Sequence, residues 1–289
     1  MKKLLFVMNP YAGQKKANRH LAEIIEIFNR ADYEVLTYMT AGPGDAYEYI
    51  LRHVKTVDRV VCCGGDGTFN EAASAILSSG ADIPLGYIPA GSTNDFANSL
   101  KLPLDILQAA RAAVHGVPFR VDLGSFSGRH FSYVASFGAF TRASYATPQN
   151  MKNALGHVAY VLGGIQELSQ IKAHRLRFEL PDGRVLEDDY LFGAISNSTS
   201  MGGILTIPPD RVDMTDGKLE LLLIRAPKDA LELTDCLLAL QRQTYNCGMM
   251  TFLSTESVRV FPANVTFPQA FATLQKYRPS PVFKGANPT

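Results

Sequence analysis

Three short stretches in the first third of the chain concentrate glycines, hydroxyls and acids: "NPYAG" from Asn9 to Gly13, "GGDGTFNE" from Gly64 to Glu71 and "PAGSTND" from Pro89 to Asp95. Glycine reaches positive φ and lets a ligand approach the main chain, where successive N–H groups form a nest for an anion. At the start of a helix the positive end of the dipole reinforces that nest. In the second stretch Thr68 is expected to cap the following helix, with Glu71 as its capping partner. The third offers hydroxyls at Ser92 and Thr93 and an amide at Asn94 beside the backbone of Gly91. No lysine follows the glycines and no GxGxxG is present, so the spacing matches neither the Walker A nor the dinucleotide pattern. Asp66 narrows the chemistry. A carboxylate inside an anion-binding turn repels phosphate unless a divalent cation lies between them, the arrangement used in phosphoryl transfer.

These turns need elements to hold them. Leu4 to Met8 reads as a continuous apolar strand, and Leu21, Ile24, Ile25 and Phe28 then recur at helical spacing. Tyr33 to Met39, Arg59 to Cys63 and Leu85 to Ile88 read as further strands, with helices over Asp45 to His53, Ala72 to Leu77 and Leu104 to Val114. Strands that alternate with helices and are apolar on both faces predict a parallel sheet covered on both sides. Ligands of such sheets bind beyond the carboxyl ends of the strands, where all three glycine-rich turns fall.

After "HGVPFRVDLG" the rhythm changes. Phe131 to Ala135, His174 to Leu180, Arg184 to Leu186, Tyr190 to Ile195, Lys218 to Ile224 and Ser257 to Phe261 are strand-like, and Pro181, Asp182 and Gly183 give a hairpin signal. Helical patterns remain at Asn150 to Ser169 and Ala230 to Gln243. The expectation is an antiparallel, sandwich-like β-rich domain. The domains are thus read as 1–117, 118–267 and an atypical, poorly ordered tail over 268–289. Within the second domain Asp213 and Asp216 flank a turn and offer oxygen ligands for a hard cation. Taken alone, "TDG" reads first as a turn entering the strand from Leu219 to Ile224.

Bulk properties exclude several classes. The 289 residues are 46% hydrophobic and 19% charged with a net charge of +1, which gives no basis for nucleic-acid binding. The N-terminal apolar run ends at Asn9 and Pro10, too short for a signal sequence or a membrane span, so a cytoplasmic protein is expected. Four cysteines without metal-ligand spacing read as reduced, buried thiols. The six histidines share no spacing, and the stripe Ala159, Leu162, Ile165 and Leu168 reads as core. Lys15, Lys16 and Arg19 read as a solvated helix face.

In this order and spacing, the three turns resemble the diacylglycerol kinase catalytic domain of bacterial lipid kinases, a group that includes the soluble diacylglycerol kinases and the YegS-type lipid kinases. The resemblance runs from Lys2 to about Pro262. It implies an α/β nucleotide-binding domain related to those of phosphofructokinase and NAD kinase, followed by a β-rich domain. By position it implies that Asn9, Pro10, Gly13, Thr40, Gly64, Gly65, Asp66, Gly67, Thr68, Asn70, Gly91, Ser92, Thr93 and Asn94 surround ATP. It makes Asp66 an organiser of the magnesium nucleotide and Asp122, in "VDLG", a second catalytic acid. "MGGILTIPPDRVDMTDGKLEL" fits a family pattern that holds a structural magnesium through the Asp216 side chain and backbone oxygens at Asp213 and Lys218.

One part of the pattern is broken. The family carries a glutamate in an "LDGE" motif near the C-terminus as acceptor of the hydroxyl proton, where this chain has "FATLQKYRPSP". Gln275 replaces Asp-Gly and Lys276 stands at the glutamate position, and the final family strand is expected to be missing. The resulting expectation is an ATP- and magnesium-dependent lipid kinase, weakened by the loss of its base, acting on a lipid at the inner membrane surface. A nucleotide- or lipid-binding pseudokinase and a kinase for a soluble acceptor such as NAD stay open. Oligomeric state is not legible, and a homodimer is carried as an open expectation.

Overall fold

The computed structural model describes residues 1–138, 172–201, 205–262, 272–277 and 282–284. The helix expected over 150–169, its apolar stripe and the Gly202–Gly203 pair lie outside the described residues. The chain divides into two compact units, Met1–Leu123 with Arg278–Thr289, and Gly124–Tyr277. The division thus falls slightly beyond Val117.

The first unit contains β1 (Lys2–Met8), α1 (Leu21–Arg30), β2 (Tyr33–Met39), α2 (Asp45–His53), β3 (Arg59–Gly64), α3 (Asp66–Ser79), β4 (Leu85–Pro89), α4 (Asp95–Ser99), α5 (Ile106–His115) and β5 (Val117–Phe119). The second contains β6 (Leu123–Phe126), β7 (Arg129–Phe131), β8 (Val134–Gly138), β9 (His174–Glu179), β10 (Val185–Ser196), β11 (Ser200–Met201), β12 (Leu205–Thr206), β13 (Leu219–Arg225), α6 (Ala230–Gln241), β14 (Met250–Thr255), β15 (Ser257–Pro262) and β16 (Ala272–Tyr277). A last strand, β17 (Val282–Lys284), belongs to the first unit.

The first sheet has the order β2-β1-β3-β4-β17-β5, with β1 to β4 all parallel. β3 and β4 are buried along their whole length, as strands covered on both faces must be. Ile88 packs with Ile24 and Phe28 of α1 and Ala109 and Ala113 of α5. Its neighbour Tyr87 meets Phe69 of α3 instead. Because successive strand residues point to opposite faces, α3 covers the face opposite α1 and α5. Phe28 is fully buried in the first of these layers, and its truncation to alanine costs about 3–5 kcal/mol.

The second unit is an antiparallel sheet ordered β14-β13-β10-β9-β15-β16-β6-β7, with β8 pairing β10. The two strands expected around Arg184 and Tyr190 are one long strand, β10, which pairs β9 through its first half and β13 and β8 through its second. The intervening Glu187 and Asp189 alternate with less exposed neighbours, which masks the continuity in sequence. On β13, Leu222 and Ile224 pack under Cys236 and Leu240 of α6, while Leu219, Leu221 and Leu223 join Phe178 and Val258 on the other face.

The tail departs from expectation. β16 pairs with β15, with Gln275 opposite Ser257, and β17 lies between β4 and β5, with Val282 opposite Leu85 and Phe119. A final strand is therefore present. Strands of six and three residues are too short for a visible period of two, and Pro279 and Pro281 in the link read as irregular chain.

Candidate functional site

β1 to β4 are parallel, so the segments following Met8, Met39, Gly64 and Pro89 emerge on one edge. Backbone bonds stitch these segments together: the N–H of Asn9 donates to the Cys63 carbonyl (2.8 Å), that of Thr40 to Met8 (2.9 Å) and that of Ala90 to Gly64 (2.7 Å). The three glycine turns then meet main chain to main chain. Gly13 has φ +51°, and a Cβ there would lie 2.5 Å from the Ala90 carbonyl oxygen. A Cβ on Gly91 would lie 2.6 Å from the Gly65 Cα. No side chain fits at these points, so only backbone lines the approach. Asn94, itself at φ 50°, closes the third turn by accepting from the Gly91 N–H (2.8 Å) and donating to the Gly91 carbonyl (3.1 Å). The Asn9 amide spans the first two turns, donating to Thr68 Oγ1 (3.4 Å) and accepting from the Tyr11 N–H (2.9 Å).

α3 begins at Asp66 itself, with Gly65 as an N-cap that makes no side-chain bond. This corrects the expected Thr68–Glu71 capping box. Thr68 is already inside the helix and buried against Asn9, and Glu71 accepts from the Gly44 N–H (2.8 Å) at the start of α2. The first amides of a helix have no intrahelical acceptor, so α3 presents its positive end at the edge where the turns meet.

The Asp66 carboxylate is fixed by three donors from the third turn. Oδ2 accepts from the Asp95 N–H (3.1 Å) and Thr93 Oγ1 (3.4 Å), and Oδ1 accepts from the Phe96 N–H (3.1 Å). Burial raises its pKa above the ordinary aspartate value, the nearby Asp95 carboxylate adds to this, and the three donors oppose it. Asp95 is itself buried, and the sequence reading missed it. Its only signal was an acid directly after "GSTN", which resembles an ordinary helix-start residue.

The structure therefore gathers Asn9, Gly13, Gly65, Asp66, Thr68, Gly91, Thr93 and Asn94 into one cluster. Thr40 is buried beside the end of β1, and the Pro10 carbonyl accepts from Asn18 Nδ2 (3.0 Å). Gly64 ends β3, and Gly67 and Asn70 lie on α3, while Ser92 is exposed in the third turn. Asp122 is buried on the segment joining β5 to β6. Lys276 belongs to β16 of the second unit. All four cysteines are free thiols, with Cys62 and Cys63 buried in β3 and their pKa raised by that burial.

In the second unit the acidic turn is closed on itself. Asp213 Oδ1 accepts from the N–H (2.9 Å) and hydroxyl (2.7 Å) of Thr215, which lowers its pKa, and Asp216 Oδ1 accepts from the Lys218 N–H (2.8 Å). Glu220 follows on β13, fully inside the protein. Among the described residues no group of three or more His, Cys, Asp or Glu side chains is placed to hold a metal ion.

Residues 3–126 match the model of the diacylglycerol kinase catalytic domain. The chain is 30% identical over 262 residues to the diacylglycerol kinase of Bacillus subtilis (strain 168), covering 90% of this chain and 86% of that protein. It is 33% identical over 224 residues to the diacylglycerol kinase of Staphylococcus saprophyticus, covering 77% of this chain and 73% of that one. The crystal structure of a diacylglycerol kinase from Bacillus anthracis str. Sterne superposes with a TM-score of 0.73 at 21% identity, covering 98% of this chain and 97% of that chain. The α/β unit and the antiparallel β unit together have the fold of that structure. The chain belongs to the bacterial diacylglycerol kinase family. Among the described residues no helix is long and apolar enough to cross a membrane.

Proposed function

We propose that the protein is an ATP- and magnesium-dependent lipid kinase that transfers the terminal phosphoryl group to a hydroxyl of a diacylglycerol-like acceptor. The observation that carries this reading is the closure of three glycine turns on one another at Gly13, Gly65 and Gly91, beside the start of α3 and the Asp66 carboxylate. The residues fit a nucleotide and its cation. Positions where a Cβ would strike main chain leave backbone amides as the anion-binding surface, and a poorly solvated carboxylate with a raised pKa favours a nearby cation. Asn9, Gly13, Thr40, Gly65 to Asn70 and Thr93 would hold the nucleotide, with Asp66 and Asp95 toward the metal. Magnesium, when bound, neutralises phosphate charge during transfer.

Each residue then has a physical task. The positive end of α3 binds phosphate, Asn94 locks the Gly91 turn in its binding shape, and the donors of residues 93–96 hold the Asp66 carboxylate in one orientation. Asp122 serves as a second acid. A structural cation in the second unit would be held by the Asp216 side chain, one of whose oxygens already accepts from the Lys218 N–H, together with backbone oxygens at Asp213 and Lys218. The lipid acceptor is supported by the relatives named diacylglycerol kinase, and it implies work at the cytoplasmic surface of a membrane.

Lys276 makes a pseudokinase the second reading. An ammonium accepts no proton near neutral pH unless its pKa is strongly depressed, and loss of a general base slows transfer by about two to four orders of magnitude. The test is transfer of labelled phosphate from ATP to diacylglycerol in mixed micelles, with NAD in a parallel arm. Slow, magnesium-dependent labelling of the lipid supports a kinase. Nucleotide binding without labelling, even after the C-terminal acid is restored, supports the pseudokinase, and exclusive labelling of NAD overturns the lipid assignment.

A further inference from the structure

Tyr87 lies on β4 beneath the start of α3 and is 3% exposed, and its hydroxyl is buried without a hydrogen-bond partner. Buried tyrosine hydroxyls ordinarily find a partner. The ring packs on Phe69 (centroids 4.8 Å), Phe69 packs on Phe96 (4.5 Å), and the Phe96 N–H binds Asp66 Oδ1 (3.1 Å). Phe69 stands one helical turn from Asp66 on the same helix. These contacts link the phenol, through Phe69 and Phe96, to the residues that hold the Asp66 carboxylate. Among the ionisable groups acting on the phenol, Asp66 is foremost, followed by Cys62, Cys63 and Asp95. Among the described residues the donors to the Asp66 carboxylate come from residues 93–96, whereas a carboxylate has about four lone-pair positions to fill.

We propose that Tyr87 is a positioning residue whose hydroxyl, through one ordered water, holds the Asp66 carboxylate from the side of the sheet. The carboxylate is then fixed between the amides of residues 93–96 and the phenol–water pair, and its free lone pair points toward the edge where the glycine turns meet. A water bridge is the natural link, since it gives the orphaned hydroxyl a partner and adds a donor to a carboxylate with acceptor capacity to spare. Packing alone needs only the ring: phenylalanine would fill the same space without burying a hydroxyl. The catalytic consequence rests on the kinase reading above, whereas the water bridge itself does not.

The test has two arms. A high-resolution crystal structure of the wild-type protein should show a water within hydrogen-bond distance of both Tyr87 Oη and the Asp66 carboxylate. A hydroxyl bonded elsewhere, or no water there, overturns the proposal. In the second arm, Tyr87→Phe should keep or raise the Tm while weakening magnesium–ATP binding in calorimetry roughly ten-fold, the loss of one hydrogen bond to a charged group. Where turnover is measurable, kcat should fall by a similar factor with KM for diacylglycerol unchanged. A purely structural tyrosine predicts unchanged magnesium–ATP affinity and unchanged kcat, and that result also overturns the proposal. Wild-type protein that binds no magnesium–ATP would overturn the kinase reading instead, and the crystallographic water alone would then decide the role of Tyr87.

Discussion

Asp66 at the start of α3 and Glu220 on β13 are both acids turned inward, and burial is the main force pushing each toward its neutral form. They differ in what faces them. Asp66 receives two backbone N–H groups and a hydroxyl from residues 93–96, which favour the charged form. Glu220 Oε1 accepts from the Ser254 hydroxyl (3.3 Å) while Oε2 has no partner, and its pKa is pushed up to about 8 by burial with help from Asp216, against weaker hydrogen bonds from its own backbone and Ser254. The glycine-turn edge of the first unit thus surrounds its buried carboxylate with aimed donors. The second unit stores its acid as a largely neutral group under a turn whose own aspartates are occupied by their neighbours. Aimed donors, more than burial, distinguish the two acids.

The largest expected effect breaks this contrast at Asp66. Asp66→Asn should lower phosphate transfer to diacylglycerol by about 10²–10³-fold, the cost of removing a principal electrostatic group, with a smaller proportional loss of stability, because the amide oxygen replaces only one of two accepting oxygens and the new NH2 faces a backbone N–H. Equal losses of activity and folding would reduce Asp66 to a cap. Next comes the C-terminal change. Replacing Lys276 by Glu, with Asp-Gly restored at Gln275, should raise kcat by about two or more orders of magnitude, read in the same labelling assay, and no change would remove the base argument. Gly91→Ala should be smaller. Its Cβ would meet the Gly65 Cα at 2.6 Å and Asn94 Oδ1 at 2.8 Å, costing about 1–3 kcal/mol of stability, with ATP affinity lowered because the turns are forced apart. Thermal melts and calorimetry check both parts.

The smallest effect sharpens the contrast at Glu220. Its folded pKa of about 8 exceeds the unfolded value of 4.5, so the folded state holds more protons between those values. The associated stability is full below about pH 4.5 and is lost as pH rises through 8. Glu220→Gln should therefore match the wild type near pH 5 and melt higher than it near pH 8, in melts across that range. A constant Tm difference at all pH values would show that Glu220 is not held neutral.

Much of the first unit was legible because its parallel strands are apolar on both faces and its turns carry glycine where main chains touch. β1, β2 and β4 appear close to where periodicity placed them. Other features depend on tertiary partners that no local pattern encodes. Glu71 fits a capping box on paper, but Gly44 claims it from another helix. α4 has five residues, too few for a helical period. β17 borrows its ladder from β4 and β5, which lie far away in sequence. At the site, the glycines and Asp66 announced themselves through residue type. Asp95 and Tyr87 did not, because an acid after a turn and an aromatic in a buried strand are commonplace until their neighbours are known.

Calorimetric titration of the protein with ATP in the presence of magnesium, beside the Gly91→Ala variant, tests the central claim most directly. Saturable binding that requires magnesium and weakens in the variant is the predicted result. No heat from the wild-type protein, or equal affinity in the two proteins, would contradict the assignment of the glycine-turn edge as the nucleotide site.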